Sequence, residues 1–468
     1  MNISNYKNYL IFLILFGAGI FYRAYNANFE DYWLDEIFGF WVSDPKLNLE
    51  QTLDRSFNTG GGQNLLFDFI LRYFYSLFDY VPEYGRYFTV VISSLSIPLL
   101  AILSYQIDKS KSYLLSTFLI SHSWYLISYA QEVRSYSFGY LLSLVSLILF
   151  IYLLKIEREK LLIKYFFLIL SLLINLLGLV NHIFFSIMIV AQFIFLLNFS
   201  NNKDKIKLLV INFIALGFIY IILMYPFLIK SLSFNSFWIP QVKISFFIDY
   251  FFPRFFGSKI MGFLYLLTLI FLIINSKKMI FKSKSFNQLL FIILISAYIF
   301  PLIYGLIKIP ILIDRYIIFV ITPILLLVSI LIFKQSIKLK FFLIIIICSA
   351  TFINNYIELF ERKNSKPEFN KSLHAIFKNP KGKIQILTDD ENAREWVLNY
   401  LKNVQYSKYQ NFEYFDYKAT INQEFFWSIC YLPLNSFNCE KNLINTNYNK
   451  IISKEYFLIQ TTLFKKKE

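Results

Sequence analysis

The chain has 468 residues, 57% of them hydrophobic and only 16% charged, and its mean hydropathy is positive. That balance excludes an ordinary soluble multidomain protein. The formal net charge of +16 comes mostly from short loops between apolar runs, where it faces anionic lipid, so it is no argument for a nucleic-acid partner.

A hydrocarbon layer about 30 Å thick takes roughly 20 apolar residues of helix to cross. Runs of this kind predict spans at 8–25, 87–105, 113–129, 136–154, 161–179, 183–199, 208–229, 260–275, 287–306, 316–333 and 341–357. Each must close its own backbone hydrogen bonds, so helix is the assignment despite the abundance of Ile and Phe. The expected fold is therefore a polytopic α-helical membrane protein with about 11 transmembrane helices over residues 1–357. The first run follows a lone Lys7 and lacks a small-residue cleavage site, so it reads as a retained anchor.

Lys and Arg in short loops stay cytoplasmic. Five loops hold 15 of the 29 basic residues before residue 358: Lys109 and Lys111; Lys155, Arg158 and Lys160; Lys203, Lys205 and Lys207; Lys277, Lys278, Lys282 and Lys284; Lys334, Lys338 and Lys340. These loops alternate, so they share one side. The other side of the membrane, expected to be the cell's inner (plasma) membrane, receives residues 26–86, the turns near 130–135 and 180–182, the stretch 230–259, the turn near 308–315 and everything after 357. Ten of the 17 acids before residue 358 lie between Glu30 and Glu83, which makes the first outward loop, 26–86, the acidic feature of the chain.

Within that loop, residues 63–79 place Leu66, Phe69, Ile70, Tyr73, Phe74 and Leu77 at three- and four-residue spacing. This predicts a helix lying along the outer membrane surface, with Asp68 and Arg72 arguing against an extra span. The stretch 230–259 contains FWIPQ and FFPRFFGSK, and Pro240 and Pro253 interrupt helix there, so a re-entrant or surface-lying segment is expected. After residue 357 hydropathy collapses. KIQILT followed by ENAREWVLNYL reads as strand then helix, and YNKIISKEYFLIQTTLFKK as paired strands, giving a small extracytoplasmic α/β domain over 358–468. Cys348 lies in a span, whereas Cys430 and Cys439 fall in the outward domain, where a disulfide and two free thiols are both open readings. The sequence shows no repeat, zinc-type cysteine pair or Gly-rich phosphate loop.

Three groups of residues could carry chemistry. WLDEIFGFW, residues 33–41, sets adjacent carboxylates Asp35 and Glu36 among apolar neighbours, where charge is costly unless paired or functional. A pair satisfying free amides at a helix N-terminus is the competing explanation. SYAQEVRSYS, residues 128–137, offers Gln131, Glu132, Arg134 and Tyr136 at the outer end of the third span, against a plain polar turn. Outward cations Arg134, Lys243, Arg254, Lys308 and Arg315 break the charge bias; singly each reads as a snorkelling anchor, but as a set they suit an anionic lipid, with Arg offering bidentate contacts to phosphate. His182, beside Asn181 at an outward turn, can reach a polar cavity, whereas His122 sits within a helix as a packing residue.

In this order the residues resemble the GT-C membrane glycosyltransferases of family 39, which includes protein mannosyltransferases and aminoarabinose transferases. The matching positions are Asp35 and Glu36; Gln131, Glu132 and Arg134; Asn181 and His182; Phe237 through Pro240; and Arg315 with Tyr316. One departure is GGGQNLLF at residues 60–67, where many members carry an H-P-P-L-Y-like segment.

The resemblance implies transfer of a hexose or pentose from a polyprenyl-phosphate-linked sugar to a glycan, lipid or protein acceptor on the outer side of the membrane. Asp35 is then the base or acceptor-orienting carboxylate, with Glu36 in support. Gln131, Glu132, Tyr136, His182 and Tyr316 line the donor and acceptor pocket. Arg134, Arg254 and Arg315, with Lys243 and Lys308, meet the lipid phosphate. No cofactor is certain, and a divalent cation, Mg²⁺ or Mn²⁺, on Asp35 or Glu132 stays open. The runner-up is a transporter or flippase for a lipid-linked sugar, against which stand the lack of an inverted repeat and of carboxylates at mid-membrane. A membrane scaffold working through its final domain is a third reading.

Overall fold

The computed structural model describes residues 3–59, 64–156, 161–199, 203–233, 239–243, 255–280, 285–388, 390–410, 412–414, 423–432 and 448–467. Arg254, Phe237, Trp238, Gln63, Cys439 and the loop cations Arg158, Lys160, Lys282 and Lys284 lie outside these residues.

Nine helices among the described residues are long and apolar enough to cross a membrane. They are α1 (Ile3–Ala24), α5 (Pro82–Ile107), α8 (Tyr136–Lys155), α9 (Leu161–Asn181), α11 (Lys203–Ser233), α12 (Lys259–Ile280), α13 (Phe286–Ile307), α14 (Ile321–Phe333, entered through a 3-10 turn Asp314–Val320) and α15 (Ile337–Phe360). The other two expected spans are shorter. The run 113–129 is broken at His122 and Ser123 into α6 (Ser112–Ser121) and α7 (Trp124–Ala130), and α10 (Phe185–Phe199) has 15 residues, reaching about 22 Å.

The bundle is built around the segment Asp314–Phe333, which is 89% buried, whereas the windows of α1, α11 and α15 are only 11%, 17% and 17% buried. The exposed Ile, Leu and Phe of those three helices suit a lipid surface, not water. At one end Lys334 pairs with Asp108 at 2.8 Å, joining the α14–α15 turn to the α5–α6 turn. Two of the basic loops are thus neighbours.

The first loop folds at the opposite end into α2 (Leu34–Val42), α3 (Leu49–Asp54) and α4 (Leu65–Leu77). In α4 the buried face is Leu65, Phe67, Asp68, Leu71 and Tyr75. The predicted apolar stripe points the other way, and its Tyr73 and Leu77 are exposed. The helix thus turns one face, with Asp68 in it, against protein and leaves part of its apolar stripe outward.

The C-terminal region adds α16 (Phe369–Phe377), α17 (Glu391–Asn403) and α18 (Gln405–Gln410) to a four-stranded sheet. The strands β1 (Lys383–Leu387), β2 (Phe425–Tyr431), β3 (Tyr448–Tyr456) and β4 (Ile459–Lys466) run in the order β1-β2-β4-β3, with β1 and β2 parallel and the other pairs antiparallel. Asp390 caps α17 by accepting from the amides of Asn392 and Ala393. Gly382, at φ +75°, is required where the chain enters β1, because a Cβ there would collide with the Phe425 carbonyl. Cys430 is disulfide-bonded and Cys348 is a free thiol.

This region does not stand apart from the first loop. Tyr32, Ile37, Phe40, Phe67, Leu71 and Tyr75 share one apolar core with Phe369, Val397, Tyr400, Trp427 and Ile459. Tyr32 stacks on Tyr400, and Asn399 donates to the Tyr80 hydroxyl at 2.8 Å.

Candidate active site

Trp33 begins α2 as its N-cap, so Asp35 and Glu36 both lie in the first turn, where the helix dipole favours acids. Their environments differ sharply. The Asp35 side chain is 35% exposed and sits between two guanidiniums, 3.8 Å from Arg134 and 3.8 Å from Arg315. Arg134 also donates to the Asp35 carbonyl at 2.9 Å, which locks the α7–α8 turn onto α2.

Glu36 is fully buried and fully engaged. It accepts from Lys366 at 2.6 Å, from Arg86 at 3.4 Å, from the Val133 amide at 2.8 Å and from the Trp33 amide at 3.4 Å. Burial alone would raise its pKa, but Lys366 and Arg86 bring it below the ordinary carboxylate value. Expected as a supporting acid of catalysis, Glu36 is instead placed as the knot that ties α2 to α5, to the α7–α8 turn and to the segment after α15. Its bond to Trp33 is the amide-satisfying role weighed against function in the sequence.

Glu132 stands beside the same lysine, 3.7 Å away. Burial raises its pKa, Lys366 offsets part of the rise, and Glu36 adds to it. Gln131 does not face the cluster as expected: its Nε2 donates to the carbonyls of Arg23 and Tyr25 at 3.0 and 2.9 Å, and its Oε1 accepts from Arg362. The residue therefore clamps the end of α1.

Tyr136 lies under both guanidiniums, with its ring centre 5.8 Å from Arg134 and 6.0 Å from Arg315. Arg315 also covers Trp33 at 5.1 Å. Tyr316 packs on His182 with ring centres 4.7 Å apart. Ser135, Tyr136, Asn181, His182, Arg315 and Tyr316 line a small cavity beneath the cluster. Burial, with Arg134 and Arg315 nearby, pushes His182 down to about 3, so the ring is neutral. Lys243 and Lys308 are exposed, and no ion pair joins either to Asp35 among the described residues.

The structure adds residues that sequence reasoning passed over. Arg86 is buried at the start of α5 and donates to the carbonyls of Ala27, Glu30 and Asp31 besides Glu36. Arg362 pairs with Glu30 at 2.5 Å, and Asn370 donates its amide to Asp31 at 2.7 Å. An arginine at the outer edge of a span could have been singled out for Arg86; Arg362 and Lys366 stand in a mixed-charge run that resembles any solvated segment.

Chemically, the cluster offers one accessible carboxylate flanked by two cations at the end of an apolar bundle, beside a small cavity that Arg315 itself helps to line together with polar and apolar side chains. The fold has counterparts among solved membrane proteins. The chain is similar to ArnT from Cupriavidus metallidurans in the apo state, with a TM-score of 0.64 at 7% identity over 99% of this chain and 98% of that one. The likeness extends to the same ArnT bound to undecaprenyl phosphate, at TM-score 0.58 and 8% identity over 98% of each chain. It also extends to the oligosaccharyltransferase AglB from Archaeoglobus fulgidus in complex with an inhibitory peptide and a dolichol-phosphate, at TM-score 0.52 and 8% identity over 99% of this chain and 74% of that one. No protein-family model matches the sequence, and no curated protein matches it.

Proposed function

We propose that this protein is a membrane glycosyltransferase that moves a sugar from a polyprenyl-phosphate donor to an acceptor hydroxyl on the extracytoplasmic side of the membrane. The observation that carries this reading is Asp35 held between Arg134 and Arg315, each at 3.8 Å. The fold neighbours that hold undecaprenyl phosphate and dolichol-phosphate support the donor class. The alternation of basic loops supports the outward placement of the cluster.

Asp35 takes the proton of the acceptor hydroxyl as its oxygen bonds to the anomeric carbon. The bond from that carbon to the phosphate oxygen breaks, and its electron pair leaves with the lipid phosphate. Arg134 and Arg315 stabilise the charge that develops there. Glu36, Arg86 and Lys366 hold the helix that presents Asp35.

The acids do not fit the Mg²⁺ or Mn²⁺ considered from the sequence. Asp35 is shared by two guanidiniums and Glu132 faces the Lys366 ammonium, so a bridging ion would sit among cations.

The test is to incubate purified protein with a panel of polyprenyl-phosphate hexoses and pentoses and to follow released lipid phosphate together with acceptor glycosylation. Release coupled to transfer is expected. Passage of the intact lipid-linked sugar across vesicles without release would favour the transporter instead.

A further inference from the structure

Asn181, the last residue of α9, is 1% exposed. Its Nδ2 donates to the Ser135 carbonyl at 3.2 Å, which fixes the orientation of the amide. Oδ1 is left buried with no partner among the described residues. Gly139 keeps this geometry open, since a Cβ there would come within 2.9 Å of Nδ2. A buried amide oxygen without a donor is costly and is found where a ligand or a water completes it.

The next residue supplies the complementary group. His182 Nδ1 accepts from the Phe184 amide at 3.3 Å, so in the neutral ring the proton sits on Nε2, which is a donor. Both residues line the cavity that Arg315 and Tyr136 also wall, and Arg315 reaches Asp35. An acceptor and a donor side by side call for one group that can both give and take a hydrogen bond. A hydroxyl does so; an ammonium only donates, and two guanidiniums stand near His182 to repel it.

We infer that Asn181 and His182 form a subsite reading a hydroxyl of the transferred sugar, which selects a neutral polyhydroxylated donor over one carrying an amino group at that position. This rests on the glycosyltransferase reading and specifies its donor class. Asn181 acts as a specificity residue one step removed from the reacting atoms.

The experiment uses full-length protein, a panel of polyprenyl-phosphate hexoses and pentoses, and the monodeoxy and amino-deoxy analogues of the donor that the wild type uses best. Wild type should reject one deoxy analogue and the matching amino analogue by about 10-fold or more in kcat/KM. Asn181→Leu should lose about that factor on the parent donor and treat parent and deoxy analogue alike, while binding undecaprenyl phosphate within about twofold of wild type. If Asn181→Leu does not bind that lipid, Asn181→Ser replaces it in the same comparison. Full discrimination surviving in the variant means that Oδ1 meets only water, and the subsite is rejected. A wild type that transfers no sugar from any panel member removes the glycosyltransferase reading itself.

Discussion

Lys366 lies 330 positions along the chain from Glu36, yet its ammonium is 2.6 Å from the Glu36 carboxylate. The segment that carries it also brings Arg362 and the Ser365 amide to Glu30, at 2.5 and 2.6 Å. Three contacts thus fasten the start of the C-terminal region to the residues just before and within α2. Breaking a buried pair by removing one partner leaves an uncompensated charge and typically costs about 3–5 kcal/mol. Since Arg86 remains beside Glu36, Lys366→Met should destabilise by about 3 kcal/mol, at the lower end, seen as a clear fall in melting temperature in detergent. Glu36→Gln in the same background should not restore the loss, because it removes the carboxylate that pairs with the buried Arg86 guanidinium. Unchanged melting in Lys366→Met would show that the lysine contributes nothing net.

Asp35 differs from its neighbour in being partly exposed and bound by longer ion pairs, so its loss should spare the fold. A placed base contributes on the order of 10²–10⁴ in rate. Asp35→Asn is therefore expected to lower lipid-phosphate release by at least about 100-fold with melting within a degree or two of wild type. Near-normal turnover would remove Asp35 from the mechanism.

The membrane bundle was legible because about 20 apolar residues in a row have few other destinations. The break at His122 and Ser123 was not, since both residues stand in an apolar run and the interruption is set by packing. In α4 the sequence offered two apolar faces and no way to rank them, and the stripe through Leu66 and Tyr73 turned out to be the outer one. The strand FFWSICY, β2, lacks polar alternation because six of its seven residues are buried, so period-two reading passed it by. At the site, Asp35, Arg134 and Arg315 were found because each violates a strong local expectation. Lys366 and Arg362 violate none, and the acids they hold most closely, Glu36 and Glu30, lie more than 300 positions away.

Asp68 gives a pH signature. Burial raises its pKa from 3.8 to about 7, with Arg134 pulling the other way. Between those values the folded protein holds a proton that the unfolded chain releases, so this stabilising contribution is full below about pH 3.8 and is lost as pH rises through about 7. Asp68→Asn cannot ionise and should lack that slope. The melting temperature of the variant, relative to wild type, is expected to climb from pH 5 to about pH 7 and then level off. Parallel profiles across that range would place the Asp68 titration elsewhere.

The shared core makes a stronger claim about the C-terminal region than the hydropathy boundary near residue 357 suggests. Tyr32, Ile37 and Phe40 are essentially inaccessible, and Phe369, Val397, Tyr400, Trp427 and Ile459 of the C-terminal region belong to the core that buries them. Trp41 donates to Glu395 at 3.0 Å, and the Tyr32 amide donates to the Tyr400 hydroxyl at 3.2 Å. Uncovering large apolar side chains costs about 1.5–3 kcal/mol apiece, so several together exceed what a loop of three short helices can bear. A chain ended at residue 360 should still insert in the membrane through its spans, but residues 26–86 should become sensitive to limited proteolysis and transfer should vanish. Glu36 would lose Lys366 in the same cut, which leaves α2 without one of the cations that holds it. A truncated protein whose first loop resists protease and whose turnover persists would show that the C-terminal region folds and works independently of the site.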